Sequence, residues 1–410
     1  MPIKPFDVDR VREQFPALNR THRGQRVVYL DGPGGSQVCQ MAIDAITGYM
    51  SRGGANLHGA FPTSVETENI IAETRYTVAQ FLNVRPEEVA FGANMTTLNM
   101  AIARALSRTW NAGDEIVLSE LDHRANVDPW LLAAQDKGVT VKWLTVDTET
   151  FQLELHLLDD VITEKTKLVA VGLSSNAVGT VTNVRQVADM AHQVGALVAV
   201  DAVHAAPHIS IDRDAIGADI LVCSAYKFFG PHVGIASIRA DLFERLEVYK
   251  LNPAPVQYPD KLETGTQNHA GVAGVNAAIS FISILGKGTT LREKLVDAMM
   301  TIEHYEDNLA ARIRNELRTL PGLTLYAAPD PARKTPTVAF RVKGLTPRQL
   351  CEKMVESYGI FVADGDFYAT TLAEKIGIHT SGGWIRAGLA PYNTIDEIDA
   401  FLDALRRIIR

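Results

Sequence analysis

Cysteine is scarce in this 410-residue chain, which has only Cys39, Cys223 and Cys351. An odd number without paired spacing excludes a disulfide framework, offers no zinc site, and suits a reducing compartment. Long apolar runs are missing as well. The most apolar tract, Gly195-Ala196-Leu197-Val198-Ala199-Val200, is closed by Asp201, far short of the about 20 residues that a membrane-spanning helix needs. No block of like charge occurs, and 40 Lys and Arg against 48 Asp and Glu leave a formal charge of -8. Neither a nucleic acid nor an anionic membrane is therefore the expected partner. The first residues carry no apolar signal core, and acidic residues are too frequent for a transit peptide, so the expected location is cytoplasmic. Repeats, low-complexity tracts and Pro-rich linkers are absent too.

What is present is a globular composition, 46% hydrophobic and 21% charged, over a length that accommodates two domains. Between about residues 87 and 240 short apolar runs alternate with amphipathic stretches, the pattern of βαβ units in a covered parallel sheet. Five runs read as strands, at 88–91, 115–118, 168–171, 196–200 and 219–223. Val184, Val187, Ala188 and Ala191 keep helical spacing before Gly195, a residue suited to a helix C-terminus. After Leu285 the pattern becomes longer amphipathic helices, at 291–320 and 347–358, around a strand at 338–342. A last helix over 395–409 opens with Thr394 and Glu397 at capping-box spacing. The expected architecture is α/β, with a large domain over 25–285 and a smaller α+β domain made of 286–410 and the N-terminal arm 1–24.

In open α/β sheets ligands sit beyond the carboxyl ends of the strands, so the first polar residue after each run is a candidate for chemistry. The run ending at Phe91 leads into Gly92-Ala93-Asn94-Met95-Thr96-Thr97 and a helix, where free N–H groups and a hydroxyl suit a phosphate. A plain glycine turn reads equally well. His123, after the second run, and Asn176, in Ser174-Ser175-Asn176, stand where they could face a ligand or simply satisfy a turn. Asp201 ends five apolar residues, and a buried carboxylate there needs a partner, which a cationic ring or His204 would supply. Lys227 stands among aromatics in Tyr226-Lys227-Phe228-Phe229, an unusual place for an unpaired lysine. An Asp and a Lys ending neighbouring parallel strands beside a phosphate-suited turn form the set that pyridoxal 5'-phosphate requires. The lysine would form the Schiff base, and the carboxylate would keep the ring nitrogen protonated. A buried ion pair, or an aldolase-type lysine without a cofactor, remain the alternatives.

The chain resembles the class V aminotransferases of pyridoxal-phosphate fold type I, and among them the cysteine desulfurase-like (NifS/SufS-like) group. The likeness rests on Tyr29-Leu30-Asp31 with Gly34-Gly35, Ala55-Asn56-Leu57-His58, Asp122-His123-Arg124-Ala125-Asn126, Ser174 through Thr180 and Asp201-Ala202-Val203-His204. It continues through Ser224-Ala225-Tyr226-Lys227, Glu263 through Asn268, and Trp384 through Gly388. The resemblance implies that Lys227 carries the cofactor, Asp201 pairs with its ring nitrogen and His123 stacks on its face. Met95, Thr96, Ser224 and, from a partner subunit, Thr266 would hold the phosphate, with Asn176 near the ring or substrate. Arg386 would bind the substrate carboxylate beside Gly35 and His58. A homodimer with shared active sites, acting on a small amino acid, is implied, and no metal is.

The departures matter as much. Tyr226 replaces the usual His before the lysine, and His204 replaces the usual Gln, so ring and phosphate contacts differ in detail. Desulfurases carry a nucleophilic Cys on a loop shortly before the carboxylate-binding Arg, and the corresponding stretch 362–370 has none. The expected reaction is C–S bond cleavage by β-elimination, with Lys227 taking the Cα proton and no enzyme thiol involved. Alternatives are transamination or epimerisation, as in serine–glyoxylate aminotransferase-like and isopenicillin N epimerase-like relatives, desulfuration through Cys39, and a non-catalytic cofactor-binding scaffold.

Overall fold

The computed structural model describes residues 6–409. Seven strands form the central sheet: β1 (Val89–Gly92), β2 (Glu115–Ser119), β3 (Thr140–Leu144), β4 (Thr166–Gly172), β5 (Leu197–Asp201), β6 (Ile220–Ser224) and β7 (Gly234–Ile238). They lie in the order β1-β7-β6-β5-β4-β2-β3. Every pairing is parallel except those of β7, which runs antiparallel to β6 and β1. Five of these strands were legible as apolar runs, and two were not. In β3, an edge strand, only Leu144 is fully buried, and its sequence Thr-Val-Lys-Trp-Leu shows no apolar run. The strand β7 is buried throughout but is built of Gly-Ile-Ala-Ser-Ile, small residues that give little hydropathy signal.

Side chains alternate between the two faces of the sheet, as the two-residue strand period requires. Val117, Val169, Val171, Val198, Val200 and Leu221 enter one core, while Ile116, Leu118, Leu168, Ala170, Ile220 and Val222 enter the other. Burial on both faces explains why the runs are continuous rather than alternating. Between β4 and β5 the helix Val184–Gln193 ends at Gly195, whose φ of +75° is the left-handed conformation glycine adopts readily.

A second, antiparallel sheet consists of β8 (Leu323–Tyr326), β9 (Thr337–Val342), β10 (Ala363–Gly365) and β11 (Trp384–Gly388) in the order β8-β9-β11-β10. The helices Leu291–Leu317, Pro347–Tyr358 and Ile395–Ile409 cover it with Ile313, Leu317, Leu350, Met354, Phe401 and Leu405. The capping box of the last helix forms, with Thr394 N donating to Glu397 Oε2 and Glu397 N to Thr394 Oγ1, both at 3.2 Å.

Residues 1–5 of the N-terminal arm lie outside the described residues. The remainder touches both sheet regions. Arg12 pairs with Glu397 at 2.8 Å, while Phe15 packs against Phe229, Phe281 and Tyr392 with ring centroids 5.5, 5.4 and 4.8 Å away. Phe15→Ala is therefore expected to lower the unfolding free energy by about 3–5 kcal/mol, read as a fall in the urea midpoint of the cofactor-free protein. A midpoint unchanged from the native one would show that the arm contributes no packing.

Candidate active site

A cavity of about 310 Å³ opens at the carboxyl ends of β2, β4, β5 and β6. Asp201, the last residue of β5, lines it, with β4 ending at Gly172 on one side and β6 running to Ser224 on the other. Its Oδ1 accepts from Val203 N at 2.8 Å. Burial raises this carboxyl to about 7, and the neighbouring Asp122 adds to the effect. Asp122 itself is buried and held by Asn126 Nδ2 at 2.8 Å, and burial raises it to about 6. Two carboxyls on a cavity floor, with no cation bonded to either among the described residues, create a demand for a positively charged group.

Lys227 lies in the single turn Ala225–Lys227 that follows β6. It is 9% exposed, and its Nζ donates to the Pro33 carbonyl and stands 4.8 Å from the centre of the Tyr226 ring. Burial, followed by the charge of Arg386, lowers this amine to about 7. An amine held near neutrality can be free of its proton when a carbonyl or an acidic C–H is presented to it.

The helix Met95–Leu106 starts at the cavity. Asn94 caps it by accepting from Thr97 N at 2.9 Å, and Met95 N donates to Ser224 Oγ at 3.0 Å. Thr96 is exposed on the cavity wall. The helix can press this close because β7 begins with Gly234, where a Cβ would lie 2.3 Å from Asn94 C. A helix N-terminus with an exposed hydroxyl at its mouth is a ready site for a phosphate.

His123 Nδ1 accepts from Ala125 N at 3.0 Å, so the proton of the neutral ring resides on Nε2. Burial lowers its pKa to about 4, which keeps the ring uncharged. His204 is buried, with Nε2 at 2.9 Å from Thr335 Oγ1 and 3.0 Å from Thr337 Oγ1, and burial holds it well below its ordinary value. Arg386, at the centre of β11, reaches the cavity from the second sheet and donates from Nη1 to Asn176 O at 2.9 Å. Asn176 Nδ2 in turn donates to Phe367 O at 2.8 Å.

Ten of the residues singled out in the sequence thus meet here: Lys227, Asp201, His123, Met95, Thr96, Asn176, His204, Ser224, Tyr226 and Arg386 all line the one cavity. Gly35 faces the Tyr226 ring from behind the wall. Thr266 and His58 stand apart, together at a second cavity of about 610 Å³, where the exposed His58 ring contacts Glu68 at 3.3 Å. The structure also brings in groups the sequence reading did not single out. Asp122 lies shortly after β2 ends at Ser119, as Asp201 lies at the end of β5, so the rule of reading the carboxyl ends of strands could have found it. Nothing local marks Thr335 and Thr337, more than a hundred residues from His204.

Ser174 Oγ, Asn176 Oδ1, His204 Nδ1 and Arg386 Nε are buried at this cavity without a hydrogen-bond partner among the described residues. Buried polar atoms seldom stay unpaired. A flat ligand carrying a ring cation, an anionic arm and an aldehyde would meet Asp201, the helix N-terminus and Lys227 together, so the residues present fit pyridoxal 5'-phosphate.

Comparison with known proteins agrees. A family model described as Aminotransferase class-V matches residues 28–401. Aminotransferase-like protein FGM3 of Gibberella zeae is 31% identical over 100% of both chains. A cysteine desulfurase of Enterobacter sp. (strain 638) is 31% identical over 98% of both. Among solved structures, the cysteine desulfurase CsdA of Escherichia coli superposes with a TM-score of 0.85, and the apo cysteine desulfurase of Thermococcus onnurineus NA1 with 0.87. Each is 26% identical over 98% of both chains. A lysine and a carboxylate ending adjacent strands of this sheet, in a chain matched almost end to end, are the signature of shared descent: the chain belongs to the class V aminotransferase family of fold type I, whose members are pyridoxal 5'-phosphate-dependent enzymes.

Proposed function

We propose that the protein cleaves the C–S bond of a small amino acid by β-elimination and that no enzyme thiol takes part. The observation that carries this reading concerns the cysteines. Cys39 and Cys223 are fully buried and Cys351 is 5% exposed, and burial pushes Cys39 up to about 11 and Cys351 to about 12, with Cys223 raised further. Thiols so buried and so weakly acidic are poor nucleophiles. Phe367 and Tyr368 line the cavity from the loop 362–370, which contains no cysteine.

When bound, the cofactor supplies an electron sink for the bond broken at Cα. The chain's own residues do the rest. In this reading Lys227 Nζ would hold the cofactor's aldehyde carbon and would be the atom that takes the Cα proton of the substrate. Asp201 would favour a proton on the ring nitrogen, and His123 would offer the ring an uncharged imidazole. Met95 N, Thr96 and Ser224 hold the phosphate, and Arg386 binds the substrate carboxylate. In the proposed two-domain division of the chain, the cofactor groups come from 25–285 and Arg386 from 286–410. Thr266 and His58, away from this cavity, are assigned to the active site of a second copy in a homodimer.

With L-cysteine the balance is cysteine plus water giving pyruvate, ammonium and hydrogen sulfide. Incubation of the holoenzyme with L-cysteine is expected to yield pyruvate and sulfide in equal amounts without alanine, and Cys39→Ala is expected to leave the rate unchanged. Alanine with sulfide, lost in Cys39→Ala, would sink the proposal. Transamination is the second reading, favoured by the full-length relative named aminotransferase-like. It predicts instead that a 2-oxo acid is converted to its amino acid with no sulfide released.

Lys227→Ala should lose activity by about 10²–10⁴-fold or more, the range for a general base. Because burial lowers the amine to about 7, its proton-accepting form predominates above that pH. The rate at which the cofactor-free protein takes up pyridoxal 5'-phosphate, which needs this amine without its proton, should therefore rise with pH through about 7 and level off, whereas an ordinary exposed lysine would keep it rising toward 10.

A further inference from the structure

The loop before β11 enters the cavity with an unusual backbone. Phe367 (φ 55°) and Tyr368 (φ 58°) both lie in the left-handed region. That region disfavours residues with a Cβ, so two consecutive aromatics stay there only when their surroundings hold them. Asn176 Nδ2 and Arg124 N donate to the Phe367 and Tyr368 carbonyls from outside the loop, and Asp366 holds the turn from within it. Its Oδ1 accepts from Tyr368 N at 3.0 Å, while Oδ2 accepts from Thr370 Oγ1 at 3.0 Å and lies 3.0 Å from His379 Nδ1. Its carbonyl accepts from Ala369 N at 2.9 Å. Both carboxylate oxygens are thus committed inside the loop, and Asp366 does not line the cavity.

The turn delivers two rings. Phe367 lies with its centroid 3.7 Å from Arg386 Cζ, a cation–π stack on a guanidinium that is only 3% exposed. Tyr368 tilts over His123 with centroids 5.2 Å apart, and its carbonyl accepts from Arg124 N at 2.8 Å. Arg386 then has little choice of ligand. Nη1 is engaged on Asn176 O, and Phe367 covers one face. Nε is buried without a partner among the described residues, and Nη2 has only a long contact, 3.4 Å, to Asp31 Oδ1. Nε and Nη2 form the side-on fork that takes both oxygens of a carboxylate.

We infer that Asp366 is a positioning residue for amino-acid binding: by fixing the left-handed turn it keeps Phe367 stacked on Arg386, so that the guanidinium offers a substrate carboxylate its Nε–Nη2 edge alone. The inference rests on assigning Arg386 to the carboxylate and is independent of which bond is broken afterwards.

The test uses the holoenzyme, with binding of 2-methylalanine followed by the absorbance of the bound cofactor. That amino acid has no Cα proton, so its Kd reads the carboxylate site whatever the reaction proves to be. Asp366→Ala and Phe367→Ala are each expected to raise this Kd about tenfold, equivalent to about 1.4 kcal/mol. With the true substrate, KM should rise in step while kcat stays within about threefold. Since Asp366 acts through Phe367, the double variant should bind no more than about twofold more weakly than either single one. Asp366→Asn, which keeps an oxygen for Tyr368 N, should fall between the native enzyme and Asp366→Ala. Additive effects in the double variant, an unchanged Kd, or a fall in kcat with Kd preserved would each overturn the inference. Should Asp366→Ala fail to fold, Asp366→Asn alone and combined with Phe367→Ala makes the same comparison. If pyruvate is not formed but these Kd shifts appear, only the C–S lyase reading fails.

Discussion

A carboxylate at the end of a buried parallel strand is the constraint around which this structure is organised. Asp201 follows apolar residues packed on both faces of the sheet, and among the described residues its carboxylate accepts a hydrogen bond only from the N–H of Val203. Asp122 beside it makes ionisation harder still. Left alone, such a pair is costly to bury, and a cationic ring bound at this floor would offset part of that cost. The nearby cations are held apart from this task. Lys227 is directed to the Pro33 carbonyl, and Arg386 to Asn176 and Asp31. The protein thus keeps its carboxyl floor, the Lys227 amine and the Arg386 guanidinium as three separate stations around one cavity.

Those stations come from different parts of the chain, and the contacts between them form the framework of the site. Pro33 reaches Lys227, Thr335 and Thr337 hold His204, and Asn176 joins the Arg386 guanidinium to the Phe367 carbonyl. Each contact ties the central sheet to a segment outside it. A shift of the second sheet would therefore move Arg386 and the loop carrying Phe367 together, because β11 and β10 are paired neighbours. This coupling keeps Arg386 in register with the loop whose Phe367 covers it.

The loop before β11 carries two aromatic rings to the cavity. In the desulfurase-like group that the chain resembles, this stretch presents a thiol. Here it presents two aromatic rings on a strained backbone tied down by Asp366. A loop built to shuttle a reactive group needs freedom, whereas one with its carboxylate, carbonyls and rings all engaged is suited to holding a shape. The three cysteines lie in packed interiors, where sulfur serves as a small hydrophobic side chain.

Much of this was determined by the sequence alone. Continuous apolar runs ending in Asp201 and Ser224 fixed strands buried on two faces, and the polar residues beyond them marked the ligand edge, because side-chain period and burial are local consequences of composition. The helix stop at Gly195 and the capping box at Thr394 were legible for the same reason. The edge strand β3 and the small-residue strand β7 escaped, since neither carries a hydrophobic pattern of its own. Only the tertiary structure decided that the Thr335 and Thr337 hydroxyls hold His204, that Phe367 lies on Arg386, and that Asp366 points into its own loop rather than into the cavity. Such contacts join residues far apart in the chain, and their geometry is set by how the two sheets meet, which no local pattern encodes.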